Sequence, residues 1–506
     1  MKMIYGVKDR PPVGRLVLFA LQQLLAILAA TITVPIVVSN NTGVSMSISA
    51  ALFGAGVGTI VYLLFTKFRS PVFLGSSFAF IGSMTSAFAG AATASLGYLG
   101  VLIGAAFAGV VYVIIALVVK FAGTKWIDKI MPAVVIGPTV AIIGLSLAGS
   151  AIKNLMSGNN AIINGAGSYD VNLTMGLCLV CGLVSLAVII VCSVFGKKML
   201  KMIPFIIGIL AGYALAAILT GIGHAAKVDA MKIIDFSAFK HMQWYPDFAF
   251  IEAFKGKYGG GIGSYIGTVA VAYIPVAFVV FAEHLADHKN ISSIIEHDLL
   301  KDPGLSRTLL GDGVGSVAGA LFGGCPNTTY GESVACVAIS GNASVFTILV
   351  TACMAVVFSF IAPFVTFLST IPSCVMGGVC IALYGFIAVS GLKMIQKVDL
   401  GDNRNLFTVS VVLIAGIGSL ALEFGKVTVT AVASALILGI LTNLLVNIGN
   451  KKADAQTADG QADAAEGAPQ PTPDVPPAQD TATDEAAATE SFATATKEEG
   501  NANESV

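Results

Sequence analysis

Charge is scarce in this chain. Of 506 residues only 11% are Asp, Glu, Lys or Arg, 56% are hydrophobic, and the mean hydropathy is +0.86. A soluble globular enzyme is not built on that ratio, which belongs to a polytopic α-helical membrane protein. Histidine is scarcer still. The five residues (His224, His241, His284, His288 and His297) form no nucleophile–base grouping, and only His284 and His288 share a spacing at which two ligands meet on a helix. Cysteine offers no metal site either. Cys178-x-x-Cys181 lies inside an apolar run, 173–192, with no second pair at zinc spacing. Cys336, Cys353, Cys374 and Cys380 fall in other apolar segments, where free thiols act as small hydrophobes. No metal, cofactor or nucleic-acid partner is expected.

The net charge of −1 hides two unlike regions. Residues 1–452 carry 27 Lys/Arg against 17 Asp/Glu, whereas 453–506 carry 12 Asp/Glu and one Lys. The second region, rich in Ala, Asp, Glu, Thr and Pro, cannot bury enough apolar surface to fold, and a disordered acidic tail over 451–506 is the expectation. Met1–Pro12 is polar and basic, so no cleavable leader is expected.

A bilayer core of about 30 Å needs roughly 20 apolar residues per helical crossing. Such stretches lie near 14–38, 45–66, 94–122, 131–150, 171–195, 202–221, 262–286, 305–324, 343–369, 372–393, 405–423 and 427–448. Two further segments, Pro71–Gly90 and Cys325–Gly341, open with an extended Pro/Ser/Thr-rich stretch and continue as an apolar piece too short to span alone. Counting them gives fourteen crossings. With both termini in the cytoplasm, 20 of the 27 basic residues in 1–452 fall at cytoplasmic ends. The two halves echo each other. Pro132 to Gly137 matches Pro372 to Gly377 in pattern, and the broken segments fall at corresponding places. Seven spans is an odd number, so a second copy inserts upside down, giving an inverted repeat.

The chemistry concentrates where the helix is broken. Backbone groups that lose helical partners inside a membrane must pair with one another or with a ligand, and two short strands meeting near the midplane would satisfy most of them. Each strand then feeds a half-helix whose N-terminal amides carry partial positive charge, with Ser77 and Glu332 near those ends. A carboxylate at such a depth costs several kcal/mol unless it faces a cavity or a partner. The arrangement suits a planar, uncharged heterocycle. Amides donate to its carbonyls, carboxylates accept from its ring N–H groups, and Phe78, Phe80 or Tyr330 offer a wall. A second acid, Glu283, follows Val279-Val280-Phe281-Ala282. That aliphatic setting disfavours its charged form, which makes it the expected carrier of a coupling proton. His284 reads as a structural, hydrogen-bonded histidine. His288, Lys289, Glu296, His297 and Asp298 read as a solvated cytoplasmic end. Asp312 reads as structural or as part of a proton path.

With these residues in view, the sequence resembles the nucleobase–ascorbate transporters, and within them the bacterial uracil permeases. The resemblance runs over residues 4–450. It takes in Gly6 to Pro12, Leu21-Gln22-Gln23, Val34-Pro35, Leu74 to Phe80, Ala282-Glu283-His284, Asp298 to Gly304, Pro326 to Glu332, and Pro372 to Gly378. It implies two inverted seven-span repeats over 1–450, split into a core (spans 1–4 and 8–11) and a gate (spans 5–7 and 12–14), with two short antiparallel strands at the substrate site. It implies proton-coupled uracil import across the cytoplasmic membrane by alternating access. Carried over, Glu283 and Glu332 would hydrogen-bond the base, backbone groups at Phe78, Tyr330 and Gly331 would assist, and Ala30 would pack against it. Relatives of the xanthine and urate type carry Gln where Glu332 stands. The chain departs from the family pattern at Ser333, Ala335 and Ser340, where Asn, Gly and Thr are usual. It also has Asp287 where some uracil permeases place a proton-coupling His, so Asp287 joins Glu283 as a coupling residue. Ala335 would add a methyl where a tight helix contact is wanted.

Three other readings stand beside this one. A xanthine or other purine permease would share the fold. A sulfate or bicarbonate transporter would want a cationic site, and neither broken segment holds a basic residue. A membrane-embedded enzyme would need a nucleophile–base pair or metal ligands. A homodimer stays open.

Overall fold

Helices dominate a computed structural model that describes residues 3–448, apart from 157–161, 164–168, 171, 198, 257, 259–261 and 425–426. The acidic tail read from the sequence lies outside the described residues. Helix α1 (Val13–Thr42) starts directly after Pro12 and ends at Gly43, whose φ of 72° is the left-handed conformation that glycine tolerates. Helix α2 (Ile48–Phe65) is capped by Ser47, whose side chain accepts from the Ala50 amide. Strand β1 (Leu74–Ser76) leads into the half-helix α3 (Ile81–Ala89), and α4 (Ala94–Ala122) follows. Helices α5 (Ala133–Ser146), α6 (Leu173–Phe195) and α7 (Pro204–Ala226) come next. The second half runs through α8 (Ile262–Ile295), α9 (Leu305–Gly323), strand β2 (Asn327–Thr329), the half-helix α10 (Gly331–Ser340), α11 (Val345–Phe358), α12 (Ser373–Ile395), α13 (Asn403–Ile417) and α14 (Ala431–Val446).

Among the described residues, eight helices are long and apolar enough to cross a membrane, and a ninth crossing results if one bent pair counts as a span. The bend corrects the single run read over 343–369. Helix α11 stops at Phe358, and Ala362–Ser369 leaves it at 85°. Pro363 supplies the reason. It has no N–H to bond the Ser359 carbonyl one turn back, so it is tolerated only in the first turn of a new helix.

The two strands pair antiparallel, with Leu74 opposite Thr329, Gly75 opposite Thr328 and Ser76 opposite Asn327. Backbone bonds extend the pairing at both ends, from Tyr330 N to the Phe73 carbonyl (3.3 Å) and from Ser77 N to the Pro326 carbonyl (2.9 Å). Small residues make room for this pair. Glycines recur every fourth residue along α9, at 311, 315, 319 and 323; the last three face Gly54 and Gly58 of α2, and Gly311 faces Tyr62. A Cβ on Gly315 would sit 2.7 Å from the Gly58 carbonyl, so the two backbones touch, a close approach that small residues permit in membrane helices. The Asn327 side chain fills the space left beside Gly58 and Gly319 and donates to the Gly54 carbonyl at 3.0 Å. Strand β2 is thereby fixed to α2 and α9. On the other side, the ring of Tyr330 lies where a side chain on Gly75 would have to go, and its hydroxyl donates to the Ser76 carbonyl at 2.9 Å.

An N-terminal strap ties down the far end of α10. The amides of Ile4 and Tyr5 donate to the Gly341 carbonyl at 2.7 and 3.2 Å. Ala343 N and Val345 N donate back to the carbonyls of Tyr5 and Val7. Arg15 of α1 donates to the Tyr5 hydroxyl at 3.1 Å, so the strap joins the start of α1 to the end of α10.

Candidate functional site

Three acids come together at the middle of the fold. Helix α8 presents Glu283 and Asp287 one turn apart, and the first turn of α10 presents Glu332. All three are partly exposed and Gly331 is exposed, although Phe281, Ala282, His284, Ser333 and Val334 around them are buried. The acids therefore border an opening rather than solid core. Asp287 accepts from the Thr329 hydroxyl at 2.7 Å, and a Cβ on Gly331 would lie 3.8 Å from its other oxygen. Asp287 thus rests against the strand–helix junction of β2 and α10. The Glu283 Oε2 is buried with no hydrogen-bond partner among the described residues. A buried carboxyl oxygen without a partner is free to take an N–H donor from a ligand that reaches it.

The remaining groups read from the sequence lie in α1, at the β1–α3 link and at the start of α10. The amide of Tyr330 is used by Phe73 and its carbonyl by Val334 N, so the half-helix begins cleanly at Gly331. The amides of Gly331 and Glu332 belong to a helical first turn, which has no internal acceptors, and the acid at Glu332 suits the positive end of the helix. Phe78 is buried and meets the ring of Tyr384 in α12 edge-on, centroids 5.6 Å apart. Ala30 is fully buried in α1. Phe80 stacks on Tyr273 of α8 at 5.4 Å, so its face is taken up within the fold. Ser77 is buried with its hydroxyl unpartnered.

Sequence reasoning misplaced two residues. His288 is not at a solvated end. It is fully buried, its ring stacks on His284 with centroids 3.9 Å apart, and its nitrogens are committed to the Tyr62 hydroxyl (2.8 Å) and the His284 carbonyl (2.9 Å). Hydropathy alone cannot report a polar partner that arrives from α2, 226 residues away in sequence. Ala335 is exposed rather than packed into a tight helix contact. Ser333 does more than the sequence suggested. Its hydroxyl accepts from Gln23 Nε2 at 2.6 Å and from the Phe73 amide at 3.3 Å, binding α10 to α1 and to the approach of β1. Thr329 and Gln23 entered the sequence reading only within the Pro326–Glu332 and Leu21–Gln23 runs, and Tyr62 did not enter it.

The sequence profile of the Permease family matches residues 14–424. The uracil permease of Bacillus caldolyticus is 38% identical over 448 residues, covering 88% of this chain and 95% of that protein. The uracil permease of Escherichia coli K12 is 32% identical over 445 residues, covering 88% and 94%. A putative pyrimidine permease of the same organism is 29% identical over 444 residues, covering 87% and 91%. Among solved structures, the transmembrane domain of a cyanobacterial bicarbonate transporter superimposes with a TM-score of 0.56 at 16% identity, covering 88% of this chain and 99% of that one. The inward-facing murine Slc26a9 anion transporter gives 0.59 at 12%, covering 87% and 69%. At such identities the structural likeness concerns the fold.

Proposed function

Because this chain belongs to the Permease family and is a multi-pass membrane protein, we propose that it imports uracil across the cytoplasmic membrane by proton-coupled alternating access. As a permease it moves its solute unchanged. The observation that carries the reading is the cluster of Glu283, Asp287 and Glu332 around the start of α10, beside the β1–β2 pair. Uracil offers two ring N–H groups and two carbonyls. Glu332 and Glu283 bind it through their carboxyl groups, the first-turn amide of Gly331 and the backbone at Phe78 and Tyr330 face its polar edge, and Ala30 packs against it. Glu283 and Asp287 pass the coupling proton.

The fourteen crossings form two inverted seven-span repeats. The eight helices of spanning length, α9, the bent pair over Val345–Ser369, the two strand-led half-helices and the shorter apolar helices α13 and α14 make up the fourteen. Spans 1–4 and 8–11 make the core that carries the site, spans 5–7 and 12–14 the gate, and Phe78 against Tyr384 is a contact between the two. Both termini are cytoplasmic. An anion carrier is disfavoured by the acids themselves, since three carboxyl groups around one opening repel a negative solute.

Uptake of labelled uracil into proteoliposomes tests the proposal. A proton gradient directed inward, acid outside, drives accumulation, a protonophore abolishes it, and exchange of labelled for unlabelled uracil survives the protonophore. Accumulation that follows a sodium gradient at fixed pH overturns proton coupling. Xanthine competing as well as uracil overturns the substrate.

A further inference from the structure

Behind the three acids lies a second polar cluster with no part in holding a base. His284 and Asp312 are both buried, with 0% and 1% side-chain exposure, and the His284 Nδ1–Asp312 Oδ2 distance is 2.7 Å. The hydrogen-bond roles around them can be worked out. The Thr308 hydroxyl lies 3.0 Å from both the Leu305 carbonyl and His284 Nε2, and its one proton serves one of them. With the proton directed to that carbonyl, the hydroxyl accepts from His284 Nε2, which carries a hydrogen. If His284 is neutral, its Nδ1 is then a bare acceptor, and the 2.7 Å contact requires the proton on Asp312. If His284 carries hydrogens on both nitrogens, Asp312 is the carboxylate. Each description places one proton between Nδ1 and Oδ2. Without it, two lone pairs would face each other at hydrogen-bond distance.

His288 is excluded from sharing this proton. Its Nδ1 faces the His284 carbonyl, which can only accept, so Nδ1 carries the hydrogen and Nε2 receives the Tyr62 hydroxyl. Ser70 in turn donates to the Tyr62 oxygen at 2.7 Å. That chain of bonds ends at a backbone carbonyl and holds the His288 ring flat against His284. Facing the pair from other elements are Tyr112 of α4, which meets His284 edge-on at 6.3 Å and has a buried, unpartnered hydroxyl, and Tyr62 of α2. From α8 come Glu283 and Asp287, and from α10 comes Glu332. Asp312 Oδ1 is also buried without a partner.

We propose that His284 and Asp312 form a second proton-binding site of the transport cycle, loaded in this conformation and set behind Glu283. Resting on the proton-coupled reading, the pair is the store from which the coupling proton is drawn and to which it returns, and Glu283 is the group that meets the base. Asp312→Asn tests this, because an amide can still donate to His284 Nδ1 but has no proton to release. In a gradient of one pH unit, each coupled proton sustains about a tenfold accumulation. The variant is expected to exchange labelled uracil yet lose that tenfold. His284→Gln, which leaves an amide beside Asp312, serves the same comparison if the first variant does not fold.

Infrared spectroscopy of purified protein labelled at aspartate and histidine reads the proton directly. A protonated aspartate or an imidazolium should be present at neutral pH and vanish in Asp312→Asn. Accumulation by the variant equal to the parent's, loss of uracil binding in a folded variant, or a spectrum that the substitution leaves unchanged overturns the inference. If the parent itself ignores the pH gradient, the coupling reading fails and so does the role assigned to the store. The spectrum then still decides whether the pair holds a proton.

Discussion

Replacing Ser333 by Ala removes one oxygen from a buried position and strands two donors. Ser333 and Phe73 are both fully buried, and Gln23 is 3% exposed. The Phe73 amide has the Ser333 hydroxyl as its acceptor at 3.3 Å. Gln23 Nε2 keeps a second, longer contact to the Ser333 carbonyl at 3.4 Å, so its loss is partial. A buried donor left without a partner costs about 1–3 kcal/mol, which puts Ser333→Ala at about 2–4 kcal/mol in all. The damage should reach the site, because the next backbone bond is Tyr330 N to the Phe73 carbonyl, one residue before α10 begins. Thermal unfolding of the purified protein at a fixed heating rate should show a drop of several degrees, and uracil affinity measured on the same sample should fall several-fold. A double-mutant cycle with Gln23→Leu isolates the share of that one bond. Parent-like melting and parent-like affinity would refute the claim that Ser333 holds β1, α1 and α10 together.

Glu332→Gln exchanges an acceptor oxygen for an N–H donor, so a contact to a ring N–H becomes a clash; binding should weaken at least about tenfold at roughly 1–3 kcal/mol, and unchanged affinity removes Glu332 from the site. Glu283→Gln keeps a donor and should retain uracil binding that varies little with pH while failing at net accumulation, whereas Glu283→Ala should lose both; full accumulation by Glu283→Gln would send the proton elsewhere. Tyr62→Phe leaves His288 Nε2 without its donor in a buried setting and should lower stability by about 1–3 kcal/mol, read by thermal unfolding. At the half-exposed pair of Arg69 and Asp302, 2.6 Å apart, the guanidinium holds the Asp302 carboxyl below its ordinary value. Its contribution is therefore present above the unfolded value of about 3.9 and lost as pH falls through the lower folded one. Asp302→Asn should remove a small, salt-sensitive stabilisation at neutral pH and none at strongly acid pH.

Much of this fold is legible in the chain because the bilayer imposes a single requirement on every spanning segment. A run of apolar residues about 20 long has few alternatives to a helix, and α4, read over 94–122, is found at Ala94–Ala122. The breaks are legible for a related reason. Pro71 and Pro326 remove donors, and the backbone groups around them must find partners in one another, as Phe73–Ser77 and Pro326–Tyr330 do. Pro363 carries the same information, and the run over 343–369 was read as straight only because its hydropathy continues through the bend.

What hydropathy cannot carry is partnership. A histidine near the end of an apolar run looks the same whether it meets water or Tyr62, and a serine in a half-helix looks the same whether or not a glutamine from α1 reaches it. Those pairs join residues 226 and 310 positions apart, so they become visible only once the helices are packed. The same holds for Asp287. In sequence it reads as a substitution for a coupling histidine, whereas in the structure Thr329 holds its Oδ2 and its Oδ1 lies beside Gly331. A carboxyl group held there contributes an acceptor and a charge at the mouth of α10, where an imidazole would contribute a donor. If transport is proton-coupled as proposed, the exchange changes which groups can carry the proton next to the base. It also gives a buried pair such as His284 and Asp312 a reason to take up the work that a histidine at position 287 would otherwise do.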